Sequence, residues 1–137
     1  MSWVVDTCIV IDVCNRDPLH HETSTALLRR LAHDGLVLCP VSFVELAPTF
    51  GGNVQQQCDF LDEAGFEYED ACWIKDDTYC ANAAWHRYVA ARRASVIRKR
   101  PLADILIGAF ATRHDGLITR NPSDFAAIFP ALPILTP

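Results

Sequence analysis

The sequence predicts an α/β fold in three layers, a central and mostly parallel β-sheet flanked on both sides by helices. Short apolar runs of strand length alternate along the chain with helix-length stretches, the order that βαβ units require. The first run, Trp3-Val4-Val5, is apolar throughout, as a strand covered on both faces must be. Size agrees: 137 residues, 50% hydrophobic and 21% charged, make one globular domain over residues 1–137 with enough apolar material for a full core.

Trp3-Val4-Val5 is the first strand, ended by Asp6, with Ile9-Val10-Ile11 following a tight exit through Thr7-Cys8. Leu27, Leu28, Leu31 and Ala32 recur at helical spacing across from Arg29 and Arg30, and Asp34-Gly35 ends that helix. Leu36 to Cys39 is the second strand. Val41 to Leu46 is a short helix after Pro40, broken at Pro48 and Gly51-Gly52; a further helix through Val54 to Ala64 stops at Gly65. Phe66-Glu67-Tyr68 is the third strand. A long helix from about Asp76 to Arg93 precedes one opened by Pro101, in which Leu102, Ile105, Leu106, Ala109 and Phe110 draw the stripe of a core helix. Leu117-Ile118-Thr119 is the fourth strand, and Ile134-Leu135, set between prolines, a fifth at the edge.

Apolar runs reach only about a third of the roughly 20 residues a membrane span needs. The start, Met1-Ser2-Trp3-Val4-Val5-Asp6, has neither the basic region nor the cleavage site of a secretion signal. A soluble, cytoplasmic protein without a membrane partner is expected. The six cysteines read as buried thiols beside apolar neighbours, not as a disulfide framework. Without a CxxC or CxH pair or an HExxH run, a zinc site is not expected, and Gly51-Gly52 lacks the spacing of a phosphate loop.

A formal net charge of −5 ordinarily disfavours a nucleic-acid partner. Here the charge is polarised. Thr78 to Ala103 holds no acid, while Arg87, Arg92, Arg93, Arg98, Lys99 and Arg100 stand among Tyr79, Trp85 and Tyr88, which leaves six positive and seventeen negative charges elsewhere, a net of −11. A solvated helix face normally interleaves Glu or Asp as i,i+4 partners, and this run has none. Trp85 and Tyr88 have two readings, core packing of a long helix, which is the commoner, and stacking on bases; Trp3 and Trp73 are assigned to packing alone.

In an open parallel sheet, ligands bind beyond the carboxyl ends of the strands. Asp6 follows the first strand, Glu45 lies in the first turn after the second, Asp104 in the first turn of the core helix and Asp124 in the first turn after the fourth strand, so all four can meet at one edge. Each also has an ordinary structural explanation. Ser42-Phe43-Val44-Glu45 matches a capping box with Ser42 as N-cap. Asn121-Pro122-Ser123-Asp124 matches a helix start, with Asn121 as cap, Pro122 at the first helical position and Asp124 at the positive end of the dipole. Asp104 resists such an explanation, since its helical neighbours Ile107, Gly108 and Ala111 are apolar or small and a buried anion needs a cation facing it. Converging carboxylates repel one another unless a divalent ion neutralises them. Oxygen-only ligands select a hard cation, Mg2+ or Mn2+, and such ions can generate a hydroxide nucleophile for phosphodiester hydrolysis.

Four segments then carry a resemblance that covers essentially the whole chain: Val4-Val5-Asp6-Thr7-Cys8-Ile9-Val10-Ile11, Val41-Ser42-Phe43-Val44-Glu45-Leu46, Pro101-Leu102-Ala103-Asp104-Ile105-Leu106-Ile107-Gly108-Ala109, and Leu117-Ile118-Thr119-Arg120-Asn121-Pro122-Ser123-Asp124-Phe125. In this order and spacing they resemble the PIN domain, in particular the VapC-like toxin ribonucleases of type II toxin–antitoxin pairs. The resemblance implies a PIN-like fold and a Mg2+- or Mn2+-dependent endoribonuclease, with Asp6, Glu45 and Asp104 as the three core acids. Asp124 matches the more variable fourth position, although Asn121 occupies the place where some relatives carry that acid. Thr7 replaces a serine common there, and Thr119 matches a hydroxyl often found near the metal.

On this reading Asp6, Asp104 and Asp124 hold the metal, with Glu45 and Thr119 ordering its shell, and a bound water attacks the RNA phosphodiester in line. Arg92, Arg93, Arg98, Lys99, Arg100 and Arg120 engage the RNA backbone, and a structured RNA with an exposed loop, such as tRNA or rRNA, is the expected substrate class. The resemblance further implies a VapB-like antitoxin partner and a homodimer. Two alternatives were weighed. A dehalogenase-like or receiver phosphotransfer protein also places an Asp after the first strand, but Asp6-Thr7-Cys8-Ile9 is not the Asp-x-Asp-x-Thr run of the first, and the paired acids of the second are missing. A non-catalytic PIN-like module that binds RNA or protein is the other, against which all four acidic positions are filled.

Overall fold

The computed structural model describes residues 2–94 and 101–137. Its strands are β1 (Trp3–Val5), β2 (Leu36–Val37), β3 (Phe66–Glu67), β4 (Gly116–Ile118) and β5 (Ile134–Leu135). Its α-helices are α1 (Thr7–Cys14), α2 (His21–Leu31), α3 (Pro40–Glu45), α4 (Val54–Glu63), α5 (Lys75–Ala94), α6 (Leu102–Ala111) and α7 (Pro122–Ala126). The sheet runs β3-β2-β1-β4-β5, and every pairing is parallel. The fold class is the expected one, with the sheet wholly rather than mostly parallel and β5 at its edge.

Alternation along β1 assigns the two faces. Val5 packs with Ile9 and Val10 of α1, Leu27, Leu28 and Leu31 of α2, and Leu61 of α4. Val4 faces the other way, against Ile107, Phe110 and Ala111 of α6 and Phe125 of α7. The long helix α5 forms an outer layer on α6, through Ala81, Ala84 and Tyr88 against Ile105 and Ala109. Gly108 is where α6 meets Phe129: a Cβ there would lie 2.7 Å from the ring carbon Cδ2. Among the described residues no helix is long and apolar enough to cross a membrane.

Ile9-Val10-Ile11, unassigned in the sequence, belongs to α1, because Asp6 is its N-cap in extended conformation and accepts the Thr7 amide, turning the chain into helix at once. Other local expectations differ from the structure. Ser42 is not a cap: Cys39 holds that position and Pro40, lacking an N–H, takes the first helical place, which leaves Ser42 inside α3 and Glu45 as its last residue. Asn121 is the N-cap of α7 as expected, yet its side chain makes no capping bond; its amide donates instead to the Thr119 hydroxyl at 3.0 Å. The cysteines are free but not uniformly buried, since Cys39 is buried, Cys72 exposed and the other four intermediate. The small local apolar runs around them carried no information about the layer that covers them.

Candidate active site

β1 lies at the centre of the sheet; the chain runs outward from it through β2 to β3 and then crosses back to β4 on its other side, and this reversal makes a topological switch point at the carboxyl end of β1. Asp6 stands there, 6% exposed. Its Oδ1 accepts the Thr7 amide at 2.8 Å, and its Oδ2 accepts the Thr119 hydroxyl at 2.7 Å and the Cys8 thiol at 3.4 Å. Burial raises its pKa above the ordinary carboxylate value; the three donors oppose that shift, and the negative charge of Asp124 adds to it. Cys8, pushed up to about 12 by burial and by Asp6, remains a neutral thiol donor.

Thr119 follows β4 and is fully buried, so the bond it gives Asp6 ties the ends of two adjacent strands. Thr7 turns the other way and donates its hydroxyl to Glu45 Oε1 at 2.7 Å, bringing α3 to the same edge. Asp104 in the first turn of α6 and Asp124 in the first turn of α7 line one cavity of about 130 Å³, together with Arg87, Tyr88, Pro101 and Ser123. The expected acids thus form two linked sets: Glu45, Thr7, Asp6 and Thr119 joined by hydrogen bonds, and Asp104 with Asp124 across a cavity, Asp124 acting on Asp6 through its charge.

Among the described residues no three His, Cys, Asp or Glu side chains already stand as a group able to hold a metal ion. The donor chemistry nevertheless fits a hard cation. A carboxylate removed from water and raised further by a second carboxylate is an oxygen ligand whose ionised form a divalent cation would stabilise.

The cationic side is less uniform than expected. Arg92 is exposed near the end of α5. The side chain of Arg93, and Arg98, Lys99 and Arg100 entirely, lie outside the described residues. Arg120 points its guanidinium at Asp12, Nε to Oδ2 at 2.7 Å and Nη2 to Oδ1 at 3.0 Å, and Ser24 donates to the same carboxylate at 3.3 Å. Tyr88 is 2% exposed and packs in the α5–α6 core, whereas Trp85, its ring centroid 5.4 Å away, is 39% exposed. Two features escaped the sequence. Arg87 had been visible only as one charge in an acid-free run, and Asp12 only as a lone acid between the apolar residues of α1.

A parallel sheet wound in both directions, with the buried Asp6 at the end of its central strand, has the switch-point crevice at which α/β proteins bind ligands. A family model for the PIN domain matches residues 3–128, and the chain belongs to the PIN domain family. PIN domains are generally nucleases. Its fold is similar to that in the crystal structure of VapBC2 from Rickettsia felis bound to a DNA fragment from their promoter, with a TM-score of 0.70 over 99% of this chain and 98% of that one, at 20% sequence identity. No curated protein matches the chain in sequence.

Proposed function

We propose that this chain is the toxin of a type II toxin–antitoxin pair, a cytoplasmic Mg2+- or Mn2+-dependent endoribonuclease acting on structured RNA such as tRNA or rRNA. The observation that carries this reading is the buried carboxylate of Asp6, held by Thr119, Cys8 and the Thr7 amide within the electrostatic reach of Asp124, inside a PIN domain.

Asp6, Asp104 and Asp124 would hold the metal, which when bound activates water and neutralises charge on the phosphoryl oxygens. Thr119 holds the Asp6 carboxylate through Oδ2, while the backbone amide of Asn121 holds the Thr119 hydroxyl in turn. Thr7 positions Glu45 as a polar group at the rim, suited to accept a proton from water. Arg92, Arg93, Arg98, Lys99 and Arg100 would meet the RNA backbone; Arg120, committed to Asp12, would contribute through the loop it anchors.

The partner would be a VapB-like antitoxin, and the toxin would dimerise. An apolar groove of about 610 Å³ between α3, α5 and α6, lined by Val41, Val44, Trp73, Trp85, Leu102 and Ile105, shares α6 with Asp104 and supports a protein partner. The deciding experiment is cleavage of total cellular RNA by the purified wild type and Asp6→Asn, in Mg2+, in Mn2+ and in EDTA, with new RNA ends mapped by sequencing. Metal-dependent cuts made by the wild type alone are expected. A folded, inhibitor-free wild type that makes none under any condition overturns the reading in favour of a non-catalytic PIN-like binding module.

A further inference from the structure

Arg87 is a fixed cation in the wall of the carboxylate cavity. It projects from α5, and its Nε and Nη2 both donate to the Ile128 carbonyl, at 3.3 and 2.9 Å. Its guanidinium carbon lies 6.0 Å from the centroid of the Phe129 ring. Gripped in this way, the group keeps little rotamer freedom, yet Nη1 and the second hydrogen of Nη2 have no partner among the described residues. Arg87 lines the same cavity as Asp104, Ser123 and Asp124. The carbonyl that anchors it stands four residues beyond Asp124, in the turn that follows α7.

We infer that Arg87 is an anion-binding residue of this cavity and takes a backbone phosphate of the substrate, the one flanking the phosphate presented to Asp104 and Asp124; this rests on the nuclease reading above. A phosphodiester approaching two carboxylates meets like charge at both. A metal offsets that repulsion at the acids themselves, but the neighbouring phosphate needs a second cation at a fixed offset. Arg87 is placed at such an offset, and a guanidinium anchored through one edge can offer its free edge to phosphate oxygens with little further ordering. Arg87 is exposed, so its free edge is open to an incoming anion, and it also forms part of the cavity wall beside Asp104 and Asp124.

The test uses the RNA fragment that spans whichever cut the wild type makes in total cellular RNA. Steady-state cleavage by wild type, Arg87→Gln and Arg87→Lys is measured in Mn2+ over a range of NaCl, with thermal melts alongside. Arg87→Gln is expected to raise KM about tenfold, as the loss of a charge-assisted contact does, while kcat stays within about twofold. The slope of log(1/KM) against log[NaCl] should become shallower by about 0.7, the counterion equivalent of one phosphate contact on a single strand. Arg87→Lys retains the charge and should retain the slope, with a smaller rise in KM.

A purely structural cap predicts lower melting temperatures with an unchanged salt slope. An unchanged slope in Arg87→Gln therefore overturns the inference, and so does a fall in kcat at constant KM in both variants. Should Arg87→Gln fail to fold, Arg87→Lys decides on KM alone, and wild-type KM refutes it. A wild type that cuts no RNA is a different failure, that of the nuclease reading.

Discussion

The carboxylate of Asp6 receives three hydrogen bonds and almost no water, and burial still wins: its pKa is raised. A carboxyl that holds its proton more tightly in the folded chain than in the unfolded one stabilises the fold when protonated. That contribution is complete below the ordinary value of 3.8 and is lost as pH rises through the raised folded value. The metal-free protein should therefore be weakened at neutral pH by its own active-site charge. Asp6→Asn, which keeps the shape and the acceptor for the Thr7 amide, is expected to melt higher than wild type in EDTA at about pH 7, by a few degrees for each kcal/mol relieved. The gap should close toward about pH 4, and scanning calorimetry across that range measures it. A variant less stable than wild type at neutral pH would show that the carboxylate serves the fold rather than the chemistry.

At the scale of elements, the Asp12–Arg120 pair clamps α1 to the loop after β4, and those two segments carry Asp6 and Thr119. The Asp12 side chain is 2% exposed and that of Arg120 29%, so removing one partner leaves an uncompensated buried charge. Asp12→Ala or Arg120→Ala should each cost about 3–5 kcal/mol in urea unfolding, the second more than the first because it strands the deeper charge, and Asp12→Leu with Arg120→Met should recover most of it. Wild-type stability in both single variants would remove the clamp from the account. Gly108 sets a second close contact, and Gly108→Ala is expected to cost about 1–3 kcal/mol through collision with Phe129, partly relieved by Phe129→Leu. These same elements mark the limits of the sequence. The strands, their alternation with helices and the placement of acids just after strand ends follow from short apolar runs and turn residues, because each is specified within a few neighbours; the order of the strands in the sheet is not. The helical start at Thr7 was hidden because Ile9-Val10-Ile11 is as apolar as a strand, and only the capping role of Asp6 decides the matter. The partners of Asp6 and Asp12 stand 113 and 108 residues away, and no local pattern encodes such a pairing.

For the whole molecule, the acid-free run is set against a remainder of net −11. On the nuclease proposal, a cation-rich segment of this kind attracts a polyanion, so cleavage should fall steeply with salt. Replacing Arg98, Lys99 and Arg100 with Gln should weaken RNA binding in filter-binding assays and flatten its salt dependence, while calorimetric titration with Mn2+ stays as in wild type. A salt slope equal to wild type would assign these cations to solubility alone. The parallel pairing of β1 with β4 bears on the protein's birth as well as its action. Asp6 leaves the ribosome early, but the hydroxyl that aims it is synthesised 113 residues later, which at about 5–20 residues per second is a delay of roughly 6–20 s. Until then β1 lacks its inner neighbour and the crevice does not exist. If the chain is the nuclease proposed above, a fragment ending at Asp115, which lacks β4 and Thr119, should make no cuts in the cleavage assay. On the toxin proposal, activity would begin only once β4 has been made, which would leave an antitoxin already present the time to bind.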